Sequence, residues 1–376
     1  MKTTVFFSST AAILLSSILF LAGCGGSSVS SPAPSVPPTG GSSAHATFVY
    51  VRNDNSRTGV DGTISGFRMN PDGTLTALQG SPFAINGNLA VSGNFLLVAD
   101  STGVTSYRID PTSGSLTPAA HTAEGANSGG VLYVDPIAVD SRNVYRGSAA
   151  WIYRFSIDDS GAFAAMPGSP FFIGGLAVDG IGVRHSTLFA SFGSFKFDGL
   201  SAYTIQNDGA LDNGQSLADF ADSLVVHPNG KIAYAVNGNI ERFTIDANGM
   251  LGQGSSTPPN SGNYFQALAI DPTGKFLAAI DNTSQSITDS HISVFSIDPL
   301  TSSLTQLVAP ISTGEPLGSS IAFDPSGRFI LITHGGNTLF PNDVMVFSFD
   351  PASGTAAKIQ TAPTGTLPGR VVIATF

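Results

Sequence analysis

A short alternation of apolar, aromatic and polar residues, seen in Val346-Phe347-Ser348-Phe349-Asp350, recurs along the chain at regular distances. The aromatic positions are Phe67, Tyr107, Phe155, Tyr203, Phe243, Phe295 and Phe347. Two residues on stand Met69, Ile109, Ile157, Ile205, Ile245, Ile297 and Phe349, followed by a polar cap: Asn70, Asp110, Asp158, Gln206, Asp246, Asp298 or Asp350. Positions 0 and +2 of a strand share one face, and the polar residue between them points the other way. Separations of 40, 48, 48, 40, 52 and 52 residues have the period of propeller blades. The pattern therefore predicts an all-β fold, a seven-bladed β-propeller of four-stranded antiparallel blades.

The last two repeats show the grammar of one blade. Phe265 to Ile270 reads as a first strand, Asp271-Pro272-Thr273-Gly274 as a turn, Lys275 to Ile280 as a second strand, His291 to Ile297 as a third and Leu304 to Val308 as a fourth. The seventh repeat follows with 320–323, 324–327, 328–333, 344–349 and 355–359. Pro presets φ and Gly takes φ above zero, so these stretches and His227-Pro228-Asn229-Gly230 are turns rather than metal loops. The first repeat begins at Thr47 with what is elsewhere a second strand, so it lacks an innermost strand. Residues 369–376 have no blade of their own. Pairing them beside Phe48 to Val51 would complete the first blade, close the ring and remove an exposed edge.

Composition fits this picture. Gly and Pro are abundant, at 43 and 23 residues, and no long stretch past the leader keeps a 3.6-residue apolar period, so helix should be nearly absent. A net charge of −10 argues against a phosphate-backbone binder, because counterion release needs clustered basic side chains. No nucleic-acid partner is expected, and the chain is expected to be a monomer.

Ahead of the repeats, residues 1–23 read as an export signal: Lys2, an apolar run from about Val5 to Phe20, then Leu21-Ala22-Gly23-Cys24. That ending resembles a bacterial lipobox, in which the cysteine is acylated after cleavage; a plain secretory signal or short anchor is the rival reading. Cys24 is the sole cysteine, which excludes an intramolecular disulfide or a Cys-based metal or redox site. Residues 24–46 then form the lipidated Cys and a Gly/Ser/Pro tether too poor in apolar residues to fold, and 47–376 the propeller. The expected location is the cell envelope, lipid-anchored to a membrane and facing the periplasm or exterior.

Candidate chemistry gathers where second strands meet third strands, since those loops and the blade-linking segments open on one face of the ring, where propeller ligands bind. His334, at a strand end before Gly335-Gly336, is the candidate acid/base, with Arg52 beside it in the catalytic assignment. Asn53, Asp100, Asn237, Asp281, Asn282 and Asn337 are the candidate ligand-binding residues; Asn and Asp at hairpin ends also serve as local backbone acceptors. Further cations near the mouth are Arg57, Arg146, Lys196 and Arg370. No metal site or cofactor is assigned, although the acidic loops around Asp281 to Asp289 and Asn53 to Asp61 offer oxygen ligands of the kind calcium takes.

The blade motifs Ala322-Phe323-Asp324-Pro325-Ser326-Gly327-Arg328-Phe329 and Val226-His227-Pro228-Asn229-Gly230-Lys231, over about residues 47–376, resemble the seven-bladed propeller lactonase family, the 6-phosphogluconolactonase-like group. The resemblance implies a lactone hydrolase acting on a small sugar lactone. Members tend to carry an Arg-His pair where an inner strand starts; here Asp222 and Ser223 hold that place, and no catalytic residue is carried over. The location and the lone candidate arginines favour a neutral lactone over a phosphorylated one. The alternative is a non-catalytic surface propeller that binds a glycan, peptide or partner protein.

Overall fold

The apolar side chains of this chain gather into seams between sheets. In the strand Thr47–Asn53, Val49 and Val51 face one seam while Phe48 and Tyr50 face the next. All four are fully buried, so the strand reads as a continuous apolar run, as a strand covered on both faces must. Seven such clusters occur, each joining two successive sheets.

A computed structural model of the chain describes residues 46–54, 62–125, 136–173, 178–184, 186–192, 199–207, 210–212, 214–216, 223–237, 239–252, 254–257, 265–282, 289–335 and 342–376. They form seven antiparallel sheets and, among the described residues, no helix. Blade seven has its strands in the order Gly318–Phe323, Phe329–His334, Asp343–Asp350 and Thr355–Pro363, from the innermost outward. Blades two to six repeat this order. Blade one takes its innermost strand from the end of the chain: Pro368–Thr375 pairs antiparallel with Thr47–Asn53, Val49 opposite Ile373 and Val51 opposite Val371. The closure expected from sequence is therefore the one observed. The leader, Cys24 and the tether up to residue 45 lie outside the described residues.

The repeated aromatic has a single structural job. Phe347 and Phe349 pack into the seam with blade six, Phe295 and Ile297 into that with blade five, and Phe67 and Met69 into that with blade seven. Each third strand thus plugs the seam with the blade before it. The cap that follows turns the chain: Asp110 Oδ1 accepts the backbone N–H groups of Thr112 and Ser113 at 2.9 and 2.7 Å. Hydrogen bonds from Ser113 are the main reason its carboxyl titrates below the usual range. The Asp-Pro-x-Gly turns work likewise, with Asp324 accepting from the N–H groups of Ser326, Arg328 and Phe329. His227 substitutes for Asp there: its Nδ1 accepts from Asn229 N–H at 3.1 Å and its Nε2 lies 2.7 Å from the Gly274 carbonyl, to which it then donates.

Predicted and observed strands coincide for Phe265–Ile270 and His291–Ile297. The fourth strand of blade six differs: it spans only Leu304–Gln306, and Ile311–Ser312 resumes pairing with the same third strand. Pro310 intervenes and has no N–H to offer the ladder. Blade three is interrupted in the same way, with Phe163–Ala165 and then Phe171–Phe172 both paired to Trp151–Ile157.

Buried tyrosines stitch neighbouring blades. Tyr50 donates to the carbonyl of Gly114 at 2.7 Å and Tyr234 to that of Ser302 at 2.8 Å, each from a second strand to the outer turn of the next blade. Burial raises both hydroxyl pKa values, that of Tyr234 to about 12. Unfolded tyrosine ionises near pH 10, so the stability these groups contribute is intact below about pH 10 and falls as the pH rises toward 12. Tyr234→Phe should cost about 1 kcal/mol at neutral pH and flatten part of the alkaline loss; denaturant melts across that range check both. Removing residues 368–376 strips Val371, Val372 and Ile373 from two seams, at about 1.5 kcal/mol or more for the buried Val371 and less for each of the half-buried Val372 and Ile373. The truncated chain should melt well below the intact one in calorimetry.

Candidate functional site

The inner strands Asn88–Ser92, Ile137–Asp140, Val178–Arg184, Ser223–Val226, Phe265–Ile270, Gly318–Phe323 and Pro368–Thr375 ring a central cavity of ≈ 430 Å³. That size suits a small molecule. Its wall is mostly small or uncharged: Asn88, Gly180, Gly182, Ser223, Gln266, Ser319 and Ser320 line it together with short aliphatic stretches. Among the described lining residues Arg370 alone carries charge.

Irregular pairing puts several of these side chains in place. The register between inner and second strands slips by one residue between Phe265 and Ala267, and again between Gly318 and Ser320. Blade one slips where Val51 pairs Val371 but Asn53 pairs Pro368. A bulge breaks the alternation and re-aims the extra side chain. The extra residues are Gln266 and Ser319, and in blade one the slip spans Gly369 and Arg370; Gln266, Ser319 and Arg370 all line the cavity. Val178 to Gly180 in blade four slips in the same way.

Each of these three is held from behind. Asn282 Nδ2 donates to the Gln266 side-chain oxygen and, at 3.2 Å, to the Gly318 carbonyl. Ser319 donates to the Pro368 carbonyl at 2.8 Å and lies 2.9 Å from the hydroxyl of Thr333, which itself donates to the Gly369 carbonyl at 2.8 Å. These bonds fix the backbone that presents Arg370. The Arg370 guanidinium reaches over to blade three, where Nη1 donates to the Ile137 carbonyl at 3.0 Å. Its side chain meets the solvent inside the cavity, yet protein surrounds it, and this enclosure lowers its pKa from the ordinary arginine value. An arginine remains protonated under such a shift. The result is a cation open to the cavity with donors to spare, set in a wall of hydroxyls and amides. Such a site can hold a carboxylate or polarise a carbonyl oxygen.

The residues singled out from sequence are distributed differently. His334 is buried, 1% exposed, with Nδ1 3.3 Å from an Asp343 carboxylate oxygen that is itself buried. It stands one strand behind the channel wall. Arg52 is paired with Asp54 at 2.8 Å, and burial is the main cause of its lowered pKa, opposed by Asp54. Asn53, fully buried, clips Thr63 and Ser65 at 3.0 Å each. Asp100 accepts both the N–H and the hydroxyl of Thr102 in a tight turn. Asp281 is fully buried at its strand end. Asn282 is in direct contact with a channel-lining side chain, that of Gln266. Asn337 and the side chain of Asn237 lie outside the described residues, as do most of the two acidic loops. Among the described residues no group of three or more His, Cys, Asp or Glu converges as a metal site.

Comparison of this chain with known proteins bears on its architecture. No family model matches it. A 6-phosphogluconolactonase of Formosa agariphila is 29% identical over 147 residues, 37% of this chain and 38% of that protein. The match therefore spans well under half of that relative. The periplasmic gluconolactonase of Pseudomonas aeruginosa superimposes with a TM-score of 0.64 at 18% identity, over 87% of this chain and 99% of its own. The two chains share one fold. A candidate 6-phosphogluconolactonase of Bacteroides uniformis agrees, with a TM-score of 0.66 at 20% identity, 88% of this chain and 99% of that one. The resemblance read from the blade motifs thus holds for architecture, while chemistry in a propeller lactonase fold depends on the site it carries.

Thr333 tests the support of Arg370 within this fold. Thr333→Val keeps the shape but leaves the Gly369 carbonyl without its donor, and stability should fall by about 1–2 kcal/mol, read from urea melts.

Proposed function

We propose that this chain is an extracytoplasmic, lactonase-like propeller that takes a small neutral sugar lactone in its central channel. The observation that carries the reading is Arg370, the single cation among the described residues lining a cavity otherwise walled by hydroxyls, amides, aliphatic groups and Phe189. A ring of hydroxyl-bearing carbons suits that wall, and the guanidinium suits the lactone carbonyl. A phosphate dianion would call for more than one cation. The similarity to a 6-phosphogluconolactonase over part of the chain, and the fold shared with a periplasmic gluconolactonase, support the same class. The leader ending at Cys24 supports a lipid-anchored place in the cell envelope.

In the reaction, water adds to the carbonyl carbon and the carbonyl oxygen gains negative charge, which the Arg370 N–H groups stabilise. The ring C–O bond then breaks, the ring oxygen takes up one proton from the added water, the other passes to solvent, and an open hydroxy carboxylate results. Its carboxylate keeps the arginine as a partner until release.

A second reading has its own support. The described lining residues include no Asp, Glu or His that could take the proton from water, which favours a channel that binds a sugar acid without turning it over. Hydrolysis of a panel of neutral and phosphorylated lactones by the purified protein, beside Arg370→Gln, separates the two. Turnover of a neutral lactone that falls about 100-fold or more in the variant, the loss expected for one oxyanion donor, is the expected outcome. Calorimetric binding of the sugar acid without turnover would transfer the assignment to the second reading. Turnover untouched in Arg370→Gln would remove the channel from both.

A further inference from the structure

A second cavity lies away from the channel, at the outer margin between blades three and four. It measures ≈ 470 Å³ and is walled by Phe171, Phe172, Tyr203 and Leu211, with Ser201, Asp212 and Ser216 among its polar lining. Phe172 belongs to the short resumed strand of blade three and pairs with Trp151 at the start of the third strand. Their rings stand 4.9 Å apart, tilted by 58°. Phe172 is 66% exposed and Trp151 37%. Neither belongs to any of the seam clusters. Among the described residues only Leu300 and Leu307 are comparably exposed large apolar side chains, so the exposed aromatic surface is concentrated at this one place.

We propose that this cleft binds a neutral hexose unit of a glycan. A pyranose presents weakly polarised C–H groups on its faces and hydroxyls around its edge, so it needs an aromatic ring and hydrogen-bonding groups side by side. The electron-rich face of an aromatic ring attracts such C–H groups, and Phe172, lining the cleft, is 66% exposed. Asp212, which also accepts from Gln206 at 3.2 Å, and the hydroxyls of Ser201 and Ser216 supply the edge partners. Phe171, Phe172 and Tyr203 wall a cleft for one sugar ring rather than a flat platform for a crystalline surface. A carboxylate in the cleft and a chain charge of −10 discriminate against acidic sugars. A protein partner fits less well. Two part-exposed rings, each of at most roughly 250 Å², fall well short of the roughly 800 Å² per side of a stable protein interface.

The chain contains a single tryptophan, Trp151, whose ring packs on Phe172 of the cleft, so intrinsic tryptophan fluorescence reports on the surroundings of Phe172. Titration of the full-length protein with cellohexaose, laminarihexaose, maltohexaose and β-1,4-galactotetraose, in parallel with calorimetry, should give a saturable response to at least one of them. Phe172→Ala and Asp212→Asn should each weaken that binding by about tenfold or more without lowering the melting temperature, because both side chains are exposed. Trigalacturonate should give no response, and Arg370→Gln should leave the glycan titration unchanged even where it abolishes lactone chemistry. The proposal is overturned if none of the neutral oligosaccharides binds by either method. It is equally overturned if binding survives in Phe172→Ala and is lost in Arg370→Gln, since the sugar would then occupy the channel.

Discussion

No blade of this protein can bury its own two faces. Each sheet has apolar side chains on both sides, and water is excluded from them only where the neighbouring sheets press against them. The aromatic of every third strand enters the seam with the preceding blade, as Phe347 and Phe349 do beside Ile280, Ile292 and Ile330. The tyrosine hydroxyls of Tyr50 and Tyr234 secure seams from the other direction. A stack that depends on neighbours at both sides has unsatisfied ends unless it returns on itself. Ring closure is therefore the condition under which all the seams are complete, and the strand Pro368–Thr375 supplies it.

That same strand carries the charge in the channel. Arg370 stands at the irregular start of the closing strand, its backbone tied by Ser319 and Thr333 of blade seven and its side chain resting on the Ile137 carbonyl of blade three. The group most suited to meet a ligand is thus assembled from the last strand of the chain and two other blades, seven beside it and three beyond blade two. Stability and the candidate chemistry share one element, so damage to the closure reaches both.

Polar residues at the ends of the second strands show how structure competes with chemistry for the same side chains. Asn53, Asp281 and His334 occupy corresponding strand ends, and all three are buried. The strand end is where hairpin loops leave the sheet, so buried backbone and hydroxyl groups there need partners. Asn53 meets that need with Thr63 and Ser65, and His334 stands against Asp343. Their positions toward the mouth were legible in the repeat. Whether a side chain there points into the channel or between strands depends on the pleat and on the local register, and neither follows from spacing.

The sequence by itself determined the number of blades, the strand order within them, the turns and the source of the closing strand, because each rests on periodic or local rules: the pitch of the repeat, the two-residue alternation, and the φ demands met by Pro and Gly. Even Arg370 was visible as one of several cations near the mouth. Only the tertiary structure decided that Arg370 lines the channel while Arg146 is buried under backbone carbonyls of Asp100 and Glu124, and that Gln266 and Ser319 join it through bulges. It likewise decided that Trp151 and Phe172, twenty-one positions apart in the chain, meet at the surface. A bulge is a departure from alternation, and a contact between resumed strands depends on where pairing restarts. Both are set by the packing of whole blades, which no local pattern encodes.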